Sequence, residues 1–142
     1  MELSKQQRES LLEAARKALQ HAYAPYSKFR VGAAILTEQD EIFTGCNVEN
    51  ASYGLTICAE RSAIFTAVAQ TKASKLEIRA VAVVNGDELA CSPCGACRQV
   101  IFEFADADTP VVSDAADGSL VAWTAGELLP HAFKTLKQRK RR

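Results

Sequence analysis

The sequence predicts an α/β protein, a three-layer α-β-α sandwich built on a mixed five-stranded sheet. Helical and extended patterns alternate along the 142 residues in the order α-β-β-α-β-α-β-β-α. Strand–helix–strand units make right-handed crossovers, so part of the sheet is expected to be parallel, with helices covering its faces. The apolar fraction of 48% and the charged fraction of 24% are ordinary for a globular protein, and we expect one domain over residues 1–142.

The first half of the chain contains the patterns of a helix, a hairpin and a loop. Ser4 and Gln7 have the spacing of a capping box, and apolar residues then recur at helical spacing to about residue 22. Residues 29–36 and 42–48 are predicted to be two strands joined by a turn, which makes a β-hairpin. The next residues show no clean periodicity and are predicted to form a loop that leads to Cys58.

The second half alternates helices with strands. A helix is predicted to begin at Cys58, a buried strand covers residues 78–84, and a third helix runs from Cys94 to about Phe104. Two short strands follow, at residues 109–113 and 120–123. Thr124 and Glu127 then have the spacing of a second capping box, which predicts a short last helix.

The charge balance argues against a polyanionic or membrane partner. The 17 basic and 17 acidic residues give a formal net charge of zero, so we expect no nucleic-acid and no membrane partner. The sequence has neither an apolar run of the ~18 residues that a bilayer span needs nor a signal-peptide pattern, and a cytoplasmic location is expected. Six basic residues lie at positions 134–142, and this tail is expected to be frayed, with weak contact with polyanions as the alternative.

The cysteines are expected to be thiols or metal ligands, because disulfides are rare in the cytosol. Cys94 and Cys97 lie three residues apart at a helix start and therefore share a face, and Cys58 opens another helix. Three thiolates suit zinc and leave its fourth position open for water, whereas a site that only holds a fold normally supplies four ligands. The pattern therefore indicates a catalytic zinc site. Cys46 is expected to pack in the core, and Cys91, which precedes an extended Ser-Pro pair, is expected to be a free thiol although it could compete as a ligand.

Glu60 is the residue that favours chemistry over a structural metal. It lies two positions after Cys58, from where its carboxylate is predicted to reach the open coordination position and transfer protons. Arg61 and Arg98 are the nearest cations in the sequence and could offset the negative charge of the thiolates. In the alternative, a structural zinc site, Glu60 is only an acidic residue at a helix start.

Two motifs resemble those of the zinc-dependent cytidine deaminase family, in particular its small, homotetrameric branch with cysteine ligands. They are Cys58-Ala-Glu-Arg61 and Pro93-Cys-Gly-Ala-Cys-Arg-Gln99. Further matches follow in family order, so that the likeness covers nearly the whole chain, at residues 29–34, 45–50, 51–53 and 128–133. The basic tail is unlike the usual end of the family, and no function is assigned to it.

The resemblance implies a reaction, a cofactor and a set of site residues. The reaction is zinc-dependent hydrolytic deamination of cytidine and 2′-deoxycytidine to uridine and 2′-deoxyuridine, with release of ammonia, in pyrimidine salvage. It implies a homotetramer whose active sites are shared between subunits. The implied residues are the zinc ligands Cys58, Cys94 and Cys97, the catalytic Glu60, the thiolate partner Arg61, Phe29 on the pyrimidine, Asn47 and Glu49 on the ribose, Ala59 in the substrate site, and Tyr53 and Phe133 reaching a neighbouring subunit's site.

Three other functions compete with this one. A related deaminase could act on blasticidin-like nucleoside antibiotics, but Asn47 and Glu49, with Arg61 after the Cys-Ala-Glu motif, favour the plain nucleoside. A polynucleotide deaminase needs a basic, aromatic groove for single strands, which the charge balance outside the tail does not supply. A zinc-stabilised interaction module has no use for Glu60.

Overall fold

The computed structural model describes residues 2–134, which contain helices and strands in the predicted order. The helices are α1 (Lys5–Leu19), α2 (Ala59–Gln70), α3 (Gly95–Phe104) and α4 (Ala125–Leu128). The strands are β1 (Val31–Thr37), β2 (Ile42–Cys46), β3 (Ile78–Asn85), β4 (Pro110–Asp114) and β5 (Leu120–Thr124), and a 3-10 turn, Tyr53–Leu55, lies in the predicted loop. Among these described helices, none has the length and apolarity that a bilayer span requires.

The five strands form one mixed sheet in the order β2-β1-β3-β4-β5. β3 and β4 are parallel, with Val81 opposite Val111, and α3 forms the connection between them. The other neighbouring strands are antiparallel. The predicted mixed five-stranded sheet is therefore confirmed, and its parallel part is the pair that the third predicted helix separates.

Two apolar clusters cover the two faces of the sheet and make the three layers. Successive side chains of a strand point to opposite faces, so Ala34 and Ala82 lie under α1 while Ile35 and Val81 lie under α2 and α3. The α1 cluster contains Leu11, Leu12, Ala15, Leu36, Ala80, Val84 and Val112. The opposite cluster includes Ile64 of α2 and Ile101 of α3, so both helices that begin at predicted metal ligands rest on the same face.

α1 is shorter than predicted, because it ends at Leu19 and not at about residue 22. The chain leaves the helix to form a parallel bridge between Tyr23 and Val48. The same bridge draws Val48 away from the hairpin, so β2 ends at Cys46, two residues before the predicted end. Tertiary pairing has here overridden a local helical pattern.

β1 begins at Val31 and not at Phe29, which is a second correction to the predicted boundaries. Lys28 has a φ of 63°, so the chain turns just before Phe29. The carbonyl of Phe29 then accepts a hydrogen bond from the side chain of Asn47, with 2.7 Å between Nδ2 and O. Phe29 therefore stands outside the strand, next to the sheet.

The predicted basic tail begins with a residue that is held in place. Lys134 Nζ donates to the carbonyl oxygen of Ala105 at 2.9 Å and lies 4.7 Å from the ring centroid of Phe102. The rest of the predicted frayed tail, residues 135–142, lies outside the described residues.

Gly45 allows α2 to approach β2 closely, and its replacement is expected to be costly. A Cβ added at Gly45 would lie 2.3 Å from Ala63 N and 2.7 Å from Ala59 O, both backbone atoms of α2. We expect Gly45→Ala to lower the free energy of unfolding by about 3 kcal/mol, because overpacking forces the helix off the sheet. Denaturant unfolding measures this loss.

The matched control for Gly45 is Gly95, in the first turn of α3. A Cβ added at Gly95 meets nothing within 4 Å. Because alanine is favoured over glycine inside a helix, Gly95→Ala is expected to leave the free energy of unfolding unchanged or slightly higher. Equal losses in the two variants would contradict the close-packing explanation.

Candidate active site

Three thiols converge at the start of two helices. Cys58 is the N-cap residue of α2, Cys94 is the N-cap residue of α3, and Cys97 lies in the first turn of α3. Their Sγ atoms all lie within 4.8 Å of one another, and those of Cys58 and Cys94 are 3.7 Å apart. Thiolates bound tetrahedrally to one zinc at ~2.3 Å stand roughly 3.8 Å apart, so these three side chains fit a zinc ion.

The electrostatics of the thiols favour metal binding. Hydrogen bonding from Cys97, with further contributions from Arg61 and Cys94, lowers the pKa of Cys58 to about 5. The same contact with Cys58, together with burial, raises the pKa of Cys97 well above its usual range. Arg61 donates from its NH2 group to Cys58 Sγ at 3.5 Å. Cys58 is therefore favoured as a thiolate, whereas Cys97 must lose its proton when a metal binds.

Glu60 lies beside these thiols with its carboxyl group almost wholly buried. It is 4% exposed and is the second residue of α2. Burial, with a further contribution from the negative charge of Cys58, raises the pKa of the Glu60 carboxyl to about 7. A carboxyl whose pKa is near neutrality can both accept and return a proton at physiological pH.

The two arginines that the sequence pairs as thiolate partners have different contacts. Arg61 contacts Cys58, as the resemblance implies. The Arg98 guanidinium instead donates to Pro93 O, Leu128 O and Ser92 Oγ. Its contacts hold the backbone before α3, and this role was not predicted.

Cys91 lies apart from the three converging thiols. Its Sγ accepts a hydrogen bond from Asn85 Nδ2 at 3.1 Å, and its backbone N–H donates to Ser113 Oγ at 3.0 Å. Burial raises the pKa of the Cys91 thiol. Cys46, at the end of β2, is half-buried, and burial raises the pKa of its thiol too.

Asn47 is buried and holds the start of β1 through its side chain. Its Oδ1 accepts from Val31 N at 2.9 Å, and its Nδ2 donates to Phe29 O at 2.7 Å. An asparagine amide has two N–H donors and two acceptor positions, so one of each is left. Phe29 is 39% exposed, so the Asn47 side chain holds the Phe29 backbone while part of the residue remains accessible.

Glu49 is held by the turn that precedes Phe29. Its Oε1 accepts from Tyr26 N at 2.9 Å and from Ser27 N at 3.1 Å, and its Oε2 accepts from Ser27 Oγ. The hydrogen bond from the Ser27 side chain, together with those from the backbone, lowers the pKa of Glu49. Tyr53 packs edge-on against Tyr26, with ring centroids 5.8 Å apart. A cleft of about 310 Å³ lies among these residues and Thr56.

The predicted site residues therefore fall into two adjoining groups and one separate residue. Ala59, fully buried, stands with Glu60, Arg61 and the thiols at the start of α2. The second group is Phe29, Asn47, Glu49 and Tyr53, and the antiparallel bridge between Val48 and Ile57 ties its segment to the residue before Cys58. Phe133 is separate: it is 77% exposed, and its carbonyl accepts from Gln99 Nε2 at 3.2 Å.

Known proteins are similar to this chain in both sequence and fold. A family model described as the cytidine and deoxycytidylate deaminase zinc-binding region matches residues 5–113. A cytidine deaminase of Sporosarcina psychrophila is 48% identical over 125 residues, which are 88% of this chain and 90% of the relative. A blasticidin-S deaminase of Bacillus cereus is 35% identical over 130 residues, 88% of this chain and 91% of that protein.

Solved structures agree with this likeness. The crystal structure of cytidine deaminase from Burkholderia pseudomallei matches with a TM-score of 0.81 and 49% identity, over 88% of this chain and 98% of that one. That of cytidine deaminase from Mycobacterium tuberculosis has a TM-score of 0.74 at 40% identity, over 90% of this chain and 98% of that one. Because the family model covers residues 5–113, which include the three thiols and Glu60, and relatives of 48–49% identity cover 88% of the chain, the chain belongs to the cytidine deaminase family.

Proposed function

We propose that this protein catalyses the zinc-dependent hydrolytic deamination of cytidine and 2′-deoxycytidine to uridine and 2′-deoxyuridine, with release of ammonia. The observation that carries this proposal is the buried Glu60 carboxyl beside three thiols that fit zinc. A metal that only stabilises a fold needs no proton carrier next to it. Relatives with the same activity in their names, at 45–48% identity, support the choice of substrate.

The chain's own residues account for the proton transfers of this reaction. Cys58, Cys94 and Cys97 would hold the zinc, which supplies an activated water at neutral pH. Glu60 takes a proton from the attacking water and delivers it to N3 of the base as oxygen adds to C4. The same carboxylate then moves the proton of the added hydroxyl to the amino group, and the C4–N4 bond breaks to release ammonia. One carboxylate serves both transfers because its pKa of about 7 suits a group that is loaded and unloaded in turn.

The second group of residues has unused hydrogen-bond donors and acceptors that a nucleoside could engage. A carboxylate has about four acceptor positions, and Glu49 uses three of them within the protein, so one is left for a sugar hydroxyl. Asn47 likewise retains one donor and one acceptor. Phe29, which is partly exposed, can pack against the pyrimidine. Ala59, assigned to the substrate site by the resemblance, lies at the start of α2 beside Glu60.

Ammonia release tests this activity directly. The zinc-loaded protein is incubated with cytidine, and ammonia and uridine are measured together, with a chelator-stripped sample as the control. We expect equal amounts of the two products from the loaded protein and almost none from the stripped one. Conversion of cytidine without release of ammonia would contradict a deaminase. Equal rates in the zinc-loaded and chelator-stripped samples would contradict a dependence on zinc.

We further propose that the protein is a homotetramer whose active sites are completed by neighbouring subunits. Support comes from large apolar side chains that the described part of the chain leaves uncovered, with exposed fractions of 77% for Phe133, 74% for Tyr53 and 64% for Leu55. In a tetramer Phe133 would cover a neighbour's bound pyrimidine and exclude water from it. Sedimentation is expected to give the mass of four chains, and a fully active monomer would contradict the assembly.

Mixing two inactive variants tests whether the sites are shared. Glu60→Gln lacks the proton carrier, and Phe133→Ala lacks an aromatic ring whose loss from a closed site costs roughly 3–5 kcal/mol. After subunit exchange, some mixed tetramers pair an intact Glu60 with an intact Phe133 from a neighbour, so activity is expected to return in part. If exchange is verified and no activity returns, Phe133 acts within its own subunit.

Two broader predictions accompany the activity. A role in pyrimidine salvage and a cytoplasmic location both stay predictions. Each suits an enzyme that acts on free nucleosides and binds its metal through reduced cysteines.

A further inference from the structure

Cys94 is the thiol whose position the core does least to fix. Cys97 is fully buried and Cys58 is half-buried, whereas Cys94 is exposed. Cys94 is also the N-cap residue of α3, with an extended φ and ψ, and the helix holds its backbone only through the carbonyl, which accepts from Arg98 N at 2.9 Å. The preceding residue, Pro93, has no N–H with which to anchor the loop. Something other than burial must hold this thiol near its two partners.

The Arg98 side chain supplies that anchor. One turn into α3, its guanidinium folds back and donates from Nε to Pro93 O at 2.7 Å and from NH2 to Ser92 Oγ at 3.0 Å. From NH1 it donates to Leu128 O at 3.0 Å. One planar group thus binds the loop before Cys94 and the end of α4 at the same time.

The backbone that Arg98 contacts at Leu128 is held firmly in the fold. Leu128 is buried, and α4 begins with a complete capping box in which Glu127 N donates to Thr124 Oγ1 at 3.1 Å. The Pro93 side chain is also fully buried. The loop is therefore clamped between its own buried proline and a short helix packed into the core.

We propose that Arg98 is a positioning residue for the metal centre, which sets the place of Cys94 by tying the Ser92–Pro93 loop to the end of α4. It acts through geometry and not through its charge on the thiolates. This inference rests on the zinc-binding part of the proposed function and not on the choice of substrate.

The chemistry of the two basic side chains makes the proposal testable. A guanidinium presents several donors in a rigid plane, whereas a lysine ammonium is a compact charge that cannot satisfy three separated acceptors in this arrangement. Removing a residue that orients a metal ligand typically lowers metal affinity by about 10- to 100-fold. Arg98→Lys keeps the positive charge but loses the planar set of donors. It therefore separates the effect of hydrogen-bond geometry on zinc affinity from the effect of charge.

The experiment measures zinc affinity in the whole zinc-loaded protein, by competition with a chromophoric zinc chelator. We expect a loss of about 10- to 100-fold for Arg98→Met and of at least about tenfold for Arg98→Lys. The control is Arg8→Met, on α1 at the other face of the sheet, which is expected to keep the wild-type affinity. Thermal midpoints of all variants, and kcat and KM for cytidine, are recorded in parallel; kcat is expected to fall further than KM rises.

Two results would overturn the proposal. Wild-type zinc affinity in Arg98→Lys would mean that charge alone matters. A lowered thermal midpoint with unchanged zinc affinity in Arg98→Met would make Arg98 a purely structural contact. If Arg98→Met does not fold, Ser92→Ala is measured in its place, because it removes only one of the acceptors of the Arg98 guanidinium. We expect Ser92→Ala to lose about two- to tenfold in zinc affinity, and an unchanged affinity would contradict the proposal. Zinc affinity is read without substrate, so a failure of the deaminase assignment would leave this test intact.

Discussion

Glu60→Gln is expected to lower kcat by about 10³–10⁴-fold while the protein keeps its zinc and its fold. General acid–base catalysis contributes about 10²–10⁴-fold, and a carboxylate used for two proton transfers belongs at the upper end of that range. The amide has nearly the same shape but cannot carry a proton. Steady-state kinetics with cytidine measure the loss, and KM is expected to change little because the substrate contacts assigned to other residues remain.

Thermal unfolding tests whether the loss of activity in Glu60→Gln comes from a loss of the fold. The carboxyl of Glu60 has a pKa of about 7 in the folded chain, above its ordinary value, because it is buried. As pH rises from the ordinary pKa of 4.5 to about 7, the unfolded chain gives up this proton before the folded chain does. The free energy of unfolding therefore falls over that pH range. In the metal-free protein at pH 8, the uncharged Glu60→Gln is therefore expected to be at least as stable as the wild type.

A matched control accompanies the Glu60 variant. Glu9→Gln changes an exposed glutamate of α1 and is expected to leave kcat unchanged. Near-normal turnover by a purified Glu60→Gln protein would remove Glu60 from the mechanism. A lower thermal midpoint at pH 8 would instead contradict the account of its buried charge.

Cys97→Ser is expected to lose nearly all its zinc and, in step with it, nearly all its activity. Cys97 is fully buried and its Sγ lies within 4.8 Å of the Sγ atoms of Cys58 and Cys94. A serine hydroxyl does not ionise near neutral pH, so one of three ligands is lost. We expect zinc content to fall from about one ion per chain to below about a tenth of that, measured by elemental analysis of purified protein.

Cys91→Ser is the control for the metal ligands. Cys91 lies only six residues before Cys97, but its Sγ accepts a hydrogen bond from Asn85, which a serine hydroxyl can also accept. Full zinc content and full activity are therefore expected. Zinc retained in Cys97→Ser and lost in Cys91→Ser would mean that a different set of thiols binds the metal.

The helix starts could be predicted from the sequence because their signals are local. Both predicted capping boxes are formed, with Gln7 N donating to Ser4 Oγ at 3.1 Å and Glu127 N to Thr124 Oγ1 at 3.1 Å. The convergence of the thiols was predicted from the metal-ligand pattern of three cysteines at two helix starts. In the structure both helices rest on the same face of the sheet and their first turns bring the three Sγ atoms within 4.8 Å of one another.

The partners of the polar side chains could not be predicted in the same way. Asn47 bonds to Val31 across 16 residues, and Arg98 bonds to Leu128 across 30 residues. Periodicity predicts the face on which a side chain lies but not which distant backbone atom it meets. The end of α1 was misplaced for this reason, since the Tyr23–Val48 bridge that stops it is also a long-range contact.

One overlooked residue did leave a local signal. Ser27 lies in the turn that begins at Pro25, and its Oγ accepts from Phe29 N, two residues on, at 3.0 Å. Serine side chains commonly stabilise turns by this contact. Recognising it would have placed a hydroxyl next to Glu49, which Ser27 also contacts, before the structure was known.

The most direct test of the central claim compares cytidine with a cytosine-containing single-stranded oligonucleotide as substrates of the zinc-loaded protein. Loss of cytosine absorbance is followed at equal cytosine concentrations. A nucleoside deaminase is expected to convert cytidine and 2′-deoxycytidine and to leave the oligonucleotide unchanged, since the charge balance outside the basic tail supplies no basic groove for a single strand. Faster conversion of the oligonucleotide, or conversion of neither substrate by protein with a full complement of zinc, would contradict the account.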